Sequence, residues 1–481
     1  MRRSSFIASL TAALVSTGCL VGPKYARPTA PIPATDTFKE AEAAGFKPAR
    51  PNDTLPKGKW WEIYNDQTLN ALEVQVNISN QNVLAAEAQY REAKAAIPIA
   101  RSALWPTLTA GPSLSEVRVG GLYVGSGNSY RLYELPVDAS WGVDLWGNLR
   151  RGVTASVASA QASAGDLENA RLLYQSELAQ DYYQLRGTDN KIALLESTDT
   201  SYKDYVMLTK NRYAAGVASP LDVDQAESQL YGAESTLVDL GVQRTQYEHA
   251  IAVLVGKSPA DLVIPPSVSS LKPPAVPAGL PSELLERRPD IAGAERTMAA
   301  ANEQIGIAMA AFYPALTLSG TGGFESVGFQ NWFSLPARFW SVGPALAETL
   351  FDAGRRKAVV AQQRAAYDAG VAGYRQTVLT AFQQVEDNLA ALRILAVEAD
   401  KVEATVKAAD SALTVSTIQY KAGTTNYLTV ITAQVTLLNA QITAVDLQTR
   451  RMVASVQLIQ AIGGGWTTSQ LPTADQLVRR N

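Results

Sequence analysis

Cys19 is the only cysteine and His249 the only histidine in 481 residues, so the side chains that usually carry nucleophilic or metal chemistry are nearly missing. A lone thiol forms no intramolecular disulfide, and a lone imidazole builds no histidine-rich metal site. A Ser-His-Asp relay would have to use His249. That residue sits among Tyr247, Ile251, Val253 and Leu254 at amphipathic-helix spacing, and it reads as a structural helix residue. No pair of carboxylates stands out as an acid and base for glycosyl transfer. Gly256-Lys257-Ser258 ends like a phosphate-binding loop, but Ile251 occupies the place where that loop needs glycine. Gly320-Thr321-Gly322-Gly323 follows strand-like sequence without opening a nucleotide-binding helix, and reads as a turn between strands. No enzyme, metal site or cofactor is expected.

The chemistry that remains belongs to Cys19 and its surroundings. Met1-Arg2-Arg3 is a positive leader, Phe6 to Val15 an apolar core, and Ser16-Thr17-Gly18 a small-residue processing site, so residues 1–18 read as a secretory signal. The core is too short to cross a bilayer as a helix, which takes about 20 apolar residues, and no later apolar run is expected to do so. Cleavage before Cys19 would make it the first residue of the mature chain. Thr17-Gly18-Cys19 resembles the end of a lipobox, whose cysteine receives a diacylglyceryl group, although Ser16 stands where leucine is usual. A net charge of −3, from 42 basic and 45 acidic residues, leaves no electrostatic footprint for nucleic acid.

The elements that would carry such an anchor come in two copies. Leu104-Trp105-Pro106-Thr107-Leu108-Thr109 recurs as Phe312-Tyr313-Pro314-Ala315-Leu316-Thr317-Leu318. Leu145-Trp146-Gly147 through Arg151 recurs as Leu350-Phe351-Asp352 through Arg356, and Arg212-Tyr213-Ala214-Ala215-Gly216 as Gln419-Tyr420-Lys421-Ala422-Gly423, all at offsets of about 205 to 208. In each copy an aromatic-Pro pair ends a helix and two strands follow. From Tyr133 to Leu145 apolar and polar residues alternate, the period of a strand with one apolar face. Val153, Val157, Ala160, Ala164 and Leu167 then take up the coiled-coil period, as do Val378, Phe382, Val385, Leu389 and Leu392. Proline is missing from Val137 to Ser219 and from Ala345 to Leu471. Helices of about 65 residues, roughly 100 Å long, are therefore expected on each side of Gly216 and of Gly423.

The expected organisation is a signal peptide (1–18), a lipid-anchored N-terminal segment (19–65), a first repeat of helix, two strands and helical hairpin (66–256), a linker with seven prolines (257–281), a second repeat (282–464) and a tail (465–481). Four strands with an apolar outer face cannot stay open in lipid, and one chain has too few to close a barrel. Several copies must share it. Glu134, Asp138 and Asp144 would then give the lumen an acidic, cation-preferring wall.

Gly22-Pro23-Lys24-Tyr25 with Arg27-Pro28, Trp60-Trp61, Asp66, Leu69 and Leu72, Asp144-Leu145-Trp146-Gly147, Leu280-Pro281-Ser282, Arg287-Arg288-Pro289-Asp290-Ile291 and Gly463-Gly464-Gly465-Trp466 resemble the TolC-like outer-membrane factor family, in its OprM/NodT-type efflux lipoprotein subgroup. The resemblance runs over nearly the whole mature chain. It implies an α+β membrane protein: a trimeric 12-stranded transmembrane β-barrel, four strands per protomer, continuous with a long periplasmic α-helical coiled-coil barrel. It implies a homotrimer in the lipid of a Gram-negative outer membrane. Such a trimer conducts passively for a periplasmic adaptor (membrane fusion) protein and an inner-membrane pump of resistance-nodulation-division type. It further implies a periplasmic gate at Asp222, Tyr420, Leu428, Thr429 and Thr432, with an Asp222–Tyr420 hydrogen bond and Leu428 as apolar constriction. Relatives commonly carry an acid at one of the two threonine positions, so the gate here leans on Leu428. A structural coiled-coil envelope lipoprotein or adhesin would share the signal, Cys19 and the rods, yet would not need a two-faced strand.

Metabolic labelling with a fatty-acid analogue tests the reading of Cys19. Wild-type protein is expected to take up label and Cys19→Ser to take up none; equal labelling would contradict acylation.

Overall fold

The structure is a computed structural model that describes residues 20–32, 38–40, 58–118, 129–274, 276 and 283–478. The signal segment 1–18, Cys19, part of the linker and residues 479–481 lie outside the described residues. In chain order the elements are α1 Gln67–Ser79, α2 Gln81–Ser102, β1 Thr107–Ala110, β2 Ser113–Arg118, β3 Ser129–Val143, α3 Asn148–Ala214, α4 Pro220–Leu254, α5 Pro289–Ala310, β4 Ala315–Ser326, β5 Arg338–Ala347, α6 Arg355–Lys421 and α7 Tyr427–Ala461. Lengths match pairwise: 22 residues in α2 and α5, 67 in α3 and α6, 35 in α4 and α7. A 67-residue helix is about 100 Å long.

Each long rod stops at a glycine for a stereochemical reason. Gly216 and Gly423 take φ of 74° and 76°, and the next amides, of Val217 and Thr424, donate back to the carbonyls of Arg212 and Gln419, which satisfies carbonyls left free at the helix end. Ser219 and Asn426 then cap the returning helices α4 and α7.

The returning rods differ from expectation. They run 35 residues and stop near Gly256 and Gly463, because glycines can end a helix where no proline does. Their length is made up by a second helix stacked on each end. In the first half Ser79 Oγ donates to the Val255 carbonyl (2.7 Å) and Asn80 Nδ2 to the Leu254 carbonyl (2.8 Å). Asn80 Oδ1 meanwhile accepts from the Asn82 and Val83 amides at the start of α2. In the second half Arg288, which precedes α5, donates from Nη1 to the Ala461 carbonyl at 3.0 Å. A Cβ on Gly256 would lie 2.1 Å from the Ser79 carbonyl oxygen, and one on Gly463 1.9 Å from that of Arg287. Backbone touches backbone at both joints.

The strands form one antiparallel sheet in the order β1/β2, β3, β4, β5, with β1 and β2 both paired to β3. Where four strands were expected there are five segments. The register continues from Ala110↔Val137 to Ser113↔Glu134, so β1 and β2 are one strand broken where Pro112 and Pro136 withdraw amides. The pairings also stack like on like: Val137↔Gly322↔Trp340 and Trp141↔Leu318↔Pro344 on one face, Asp138↔Thr321↔Ser341 and Ser140↔Ser319↔Gly343 on the other. The Gly320–Gly323 run lies inside β4 and is no turn. Its Gly323 lets the Leu135 carbonyl approach to 2.1 Å of where a Cβ would be.

Beneath the sheet α2, α3, α5 and α6 pack side by side in that order. Each continues from, or leads into, the strand above it. The main core wraps one side of these rods, with Trp60, Trp61, Tyr182, Val378 and Val456 fully buried. The linker is strapped to α3 and α4: Arg186 and Arg244 donate to the Pro265 and Ile264 carbonyls, and Asp189 binds both arginines. One expectation about apolar stretches needs correcting. α7 is long and apolar enough to cross a membrane by length and composition, with mean hydropathy 1.4. Its Thr, Gln and Asn residues hide that in a search for unbroken apolar runs. It is antiparallel to the charged α6 and packs on α3.

The joints yield a graded prediction. Gly256→Ala adds a backbone clash to a φ of +70°, whereas Gly216→Ala, at φ +74°, meets nothing within 4 Å. Gly216→Ala should cost about 1–2 kcal/mol and Gly256→Ala about 3 kcal/mol or more. Thermal unfolding of the two variants would contradict this if their midpoints fell equally.

Candidate functional site

An apolar sheet face must be covered by protein or lie in an apolar solvent, while a polar face on the same sheet meets water. Here the apolar face is bare: Leu108 is 73% exposed, Val342 76% and Trp340 80%. On the polar face Asp138 accepts from Thr321 Oγ1 at 2.6 Å and Glu134 from Ser113 Oγ at 3.1 Å. Both acids lie in the polar row of the sheet. Asp144 does not. β3 ends at Val143, and the Asp144 carboxylate accepts from the Leu149 and Arg150 amides and pairs with Arg150 Nε at 3.0 Å. It caps α3, as Asp352 caps α6 through the Gly354 and Arg356 amides and Arg356 Nε. Alternation counted two residues too far because the chain leaves the strand there to enter the helix.

Aromatic rings mark both ends of the sheet. Trp146 stacks on Tyr313 at 4.8 Å and donates to the Pro314 carbonyl, and Trp105, the counterpart of Tyr313 in the first repeat, is exposed. At the other end Tyr133, Phe324, Phe329, Trp332 and Phe333 form one cluster. Indole and phenol rings favour the boundary between hydrocarbon and water. Leu20, which follows Cys19, lies against Gly147, and the Val21 amide donates to the Trp146 carbonyl. The fully buried Arg151 grips the Val21 and Pro23 carbonyls and pairs with Glu303 at 2.6 Å. The chain just after Cys19 is therefore fixed below the sheet, where β3 leads into α3.

Down α3, Asp166, Leu173 and Glu177 are exposed along one stripe, away from the core side. Asp181 adjoins them; burial, with Glu177 one turn away, pushes its carboxyl up to about 6. Sequence reading missed these acids, because an acid on a rod face has no period of its own.

At the far tip the five gate candidates separate. Asp222 closes a capping box with Ser219, accepting from the Ser219 amide at 3.0 Å. Tyr420 is buried, with its ring between Arg212, 4.7 Å away, and Tyr427, 5.2 Å away. Its hydroxyl has no hydrogen-bond partner among the described residues. Within the single chain no hydrogen bond joins Asp222 to Tyr420 among the described residues. Thr429 bonds to Asn426 and Thr432 to the Leu428 carbonyl, so both hydroxyls are spent within α7. Leu428 is 54% exposed and, with both threonines, lines a groove of about 470 Å³ between α6 and α7. Tyr202, Tyr205 and Thr417 also belong to this tip, Tyr205 bonding Thr417 at 2.9 Å across two hairpins. Their only signal in the sequence is aromatic density near Gly216 and Gly423.

The profile of the outer membrane efflux protein family matches residues 73–257 and again 280–464. The outer membrane protein OprJ of Pseudomonas aeruginosa is 31% identical over 484 residues, covering 97% of each chain. Among solved structures, the outer-membrane channel OprN superposes with a TM-score of 0.86 at 29% identity, over 93% of this chain and 100% of its own. The open state of the Neisseria gonorrhoeae MtrE outer membrane channel gives 0.80 at 25% identity, over 93% and 98%.

Proposed function

The chain belongs to the outer membrane efflux protein family, a family of channels and not of enzymes, and from that premise we propose that it is the outer-membrane duct of a tripartite efflux system. It passively conducts what an inner-membrane pump, of resistance-nodulation-division type, and a periplasmic adaptor deliver. The observation that carries this is the sheet: across the registers of Val137 to Trp141 an exposed apolar face and a polar face are kept from β3 through β4 to β5, with free edges at β1/β2 and β5. Three copies joined edge to edge give a closed 12-stranded barrel, and the four rods beneath each sheet give a helical barrel of twelve. The two halves descend from a duplication, which the equal element lengths and the twofold family match support.

Cys19 carries the lipid anchor; the fixed position of Leu20 against Gly147, just below the sheet, favours it. Glu134 and Asp138 face the lumen, while Asp144 holds α3. Leu428 is the constriction at the tip, and Tyr420, Tyr427 and Arg212 hold the hairpins that present it. An envelope adhesin would leave the apolar face without a solvent.

Planar bilayers test this reading in one series. Leu428→Ala should raise closed-state conductance several-fold, Asp138→Asn should lower cation preference in reversal potentials, and Asp144→Asn should leave selectivity unchanged. No conductance from purified wild-type trimers, or a closed state indifferent to Leu428→Ala, would contradict it.

A further inference from the structure

At the foot of β1 a groove of about 890 Å³ runs between α2 and the C-terminal segment. Arg91, Lys94 and Arg101 line it along one flank of α2, Trp105 at its upper end, and Leu477 and Val478 opposite. No carboxylate is among its lining residues. Arg101 Nη1 donates to the Val478 carbonyl at 2.9 Å; Arg91 and Lys94 make no ion pair or hydrogen bond among the described residues.

The groove is on the outside of the rods. Leu477 packs with Ile97, Val157 and Ala160, and on the wheel of α3 those last two positions lie across from the exposed Asp166–Glu177 stripe. Its upper end is continuous with the apolar sheet face: Trp105, 70% exposed, is followed three residues on by the exposed Leu108. Cations without counter-charge, beside an interfacial indole and directly below a lipid-facing strand, match a molecule with an anionic head and an apolar body.

We propose that this groove binds an anionic phospholipid of the periplasmic leaflet, with the phosphate held by Lys94 and Arg101, Arg91 extending the positive wall, and an acyl chain against Trp105 and Leu108. The proposal rests on the reading that the apolar sheet face is in lipid. It gives the barrel a non-covalent attachment to the bilayer in addition to the one at Cys19.

The test is native mass spectrometry of the full trimer released from nanodiscs of equal phosphatidylglycerol and phosphatidylcholine. Wild-type trimers should retain phosphatidylglycerol preferentially. Arg91→Gln/Lys94→Gln, which spares the arginine that holds Val478, should lower that retention at least about fivefold, and the exposed-site control Lys401→Gln/Lys407→Gln should not. Trimer mass and conductance are read on every sample: loss of either in wild type contradicts the duct, whereas lipid loss with both intact isolates the groove. The proposal is overturned if wild type shows no preference, if the double variant keeps it, or if excess inorganic phosphate occupies the groove and strips the lipid, which would make it a site for the free ion.

Discussion

Backbone amides and carbonyls left unpaired in hydrocarbon cost several kcal/mol each, and the rest of this structure depends on that. The sheet has only four strand widths, its outer rows are Leu, Val, Phe and Trp, and its two edges are free. Neither edge can remain so in a bilayer, and four strands cannot curl far enough to meet each other. Closure by further copies, as proposed, would satisfy both edges and turn the polar face inward at the same time. The proline break between β1 and β2 weakens the edge strand at one point without changing its register.

Below the sheet the constraint passes from hydrogen bonds to length. Rods of about 100 Å need partners of equal length, and a 35-residue return falls short. Stacking a 22-residue helix on each return solves this, provided that the joint hides two helix ends. Asn80 caps both ends at one joint, and Arg288 reaches one end at the other. The glycines beside them exist because another backbone occupies the space where a Cβ would go. Joints and turns both use the left-handed geometry of glycine, and the joints use close backbone approach in addition.

Much of this was legible in the sequence, for identifiable reasons. Strand alternation and coiled-coil steps are set by local geometry, so the two-faced β3 and the 67-residue rods could be read residue by residue. Glu134 and Asp138 lie in the polar row of the sheet, whereas Asp144 lies past the end of β3, where the chain turns from strand to helix cap. The returning rods were overestimated because proline was taken as the signal to stop, while Gly256 and Gly463 stop them through contacts with Ser79 and Arg287 far away in sequence. Tyr420 lies beside the turn at Gly423, and its partners, Arg212 and Tyr427, depend on how two hairpins meet. The basic groove under Trp105 needed the C-terminal segment, 370 residues downstream, to become a groove.

Closure between copies is the claim on which the account turns, and cross-linking across the free edges tests it most directly. Cysteines at Thr109 in β1 and Ser341 in β5, in a Cys19→Ser chain, would be treated with a short bis-maleimide in outer membranes. The account predicts a covalent ladder ending at trimer, with neither single cysteine giving it. A product that stays monomeric, or a ladder that continues past three, would contradict it.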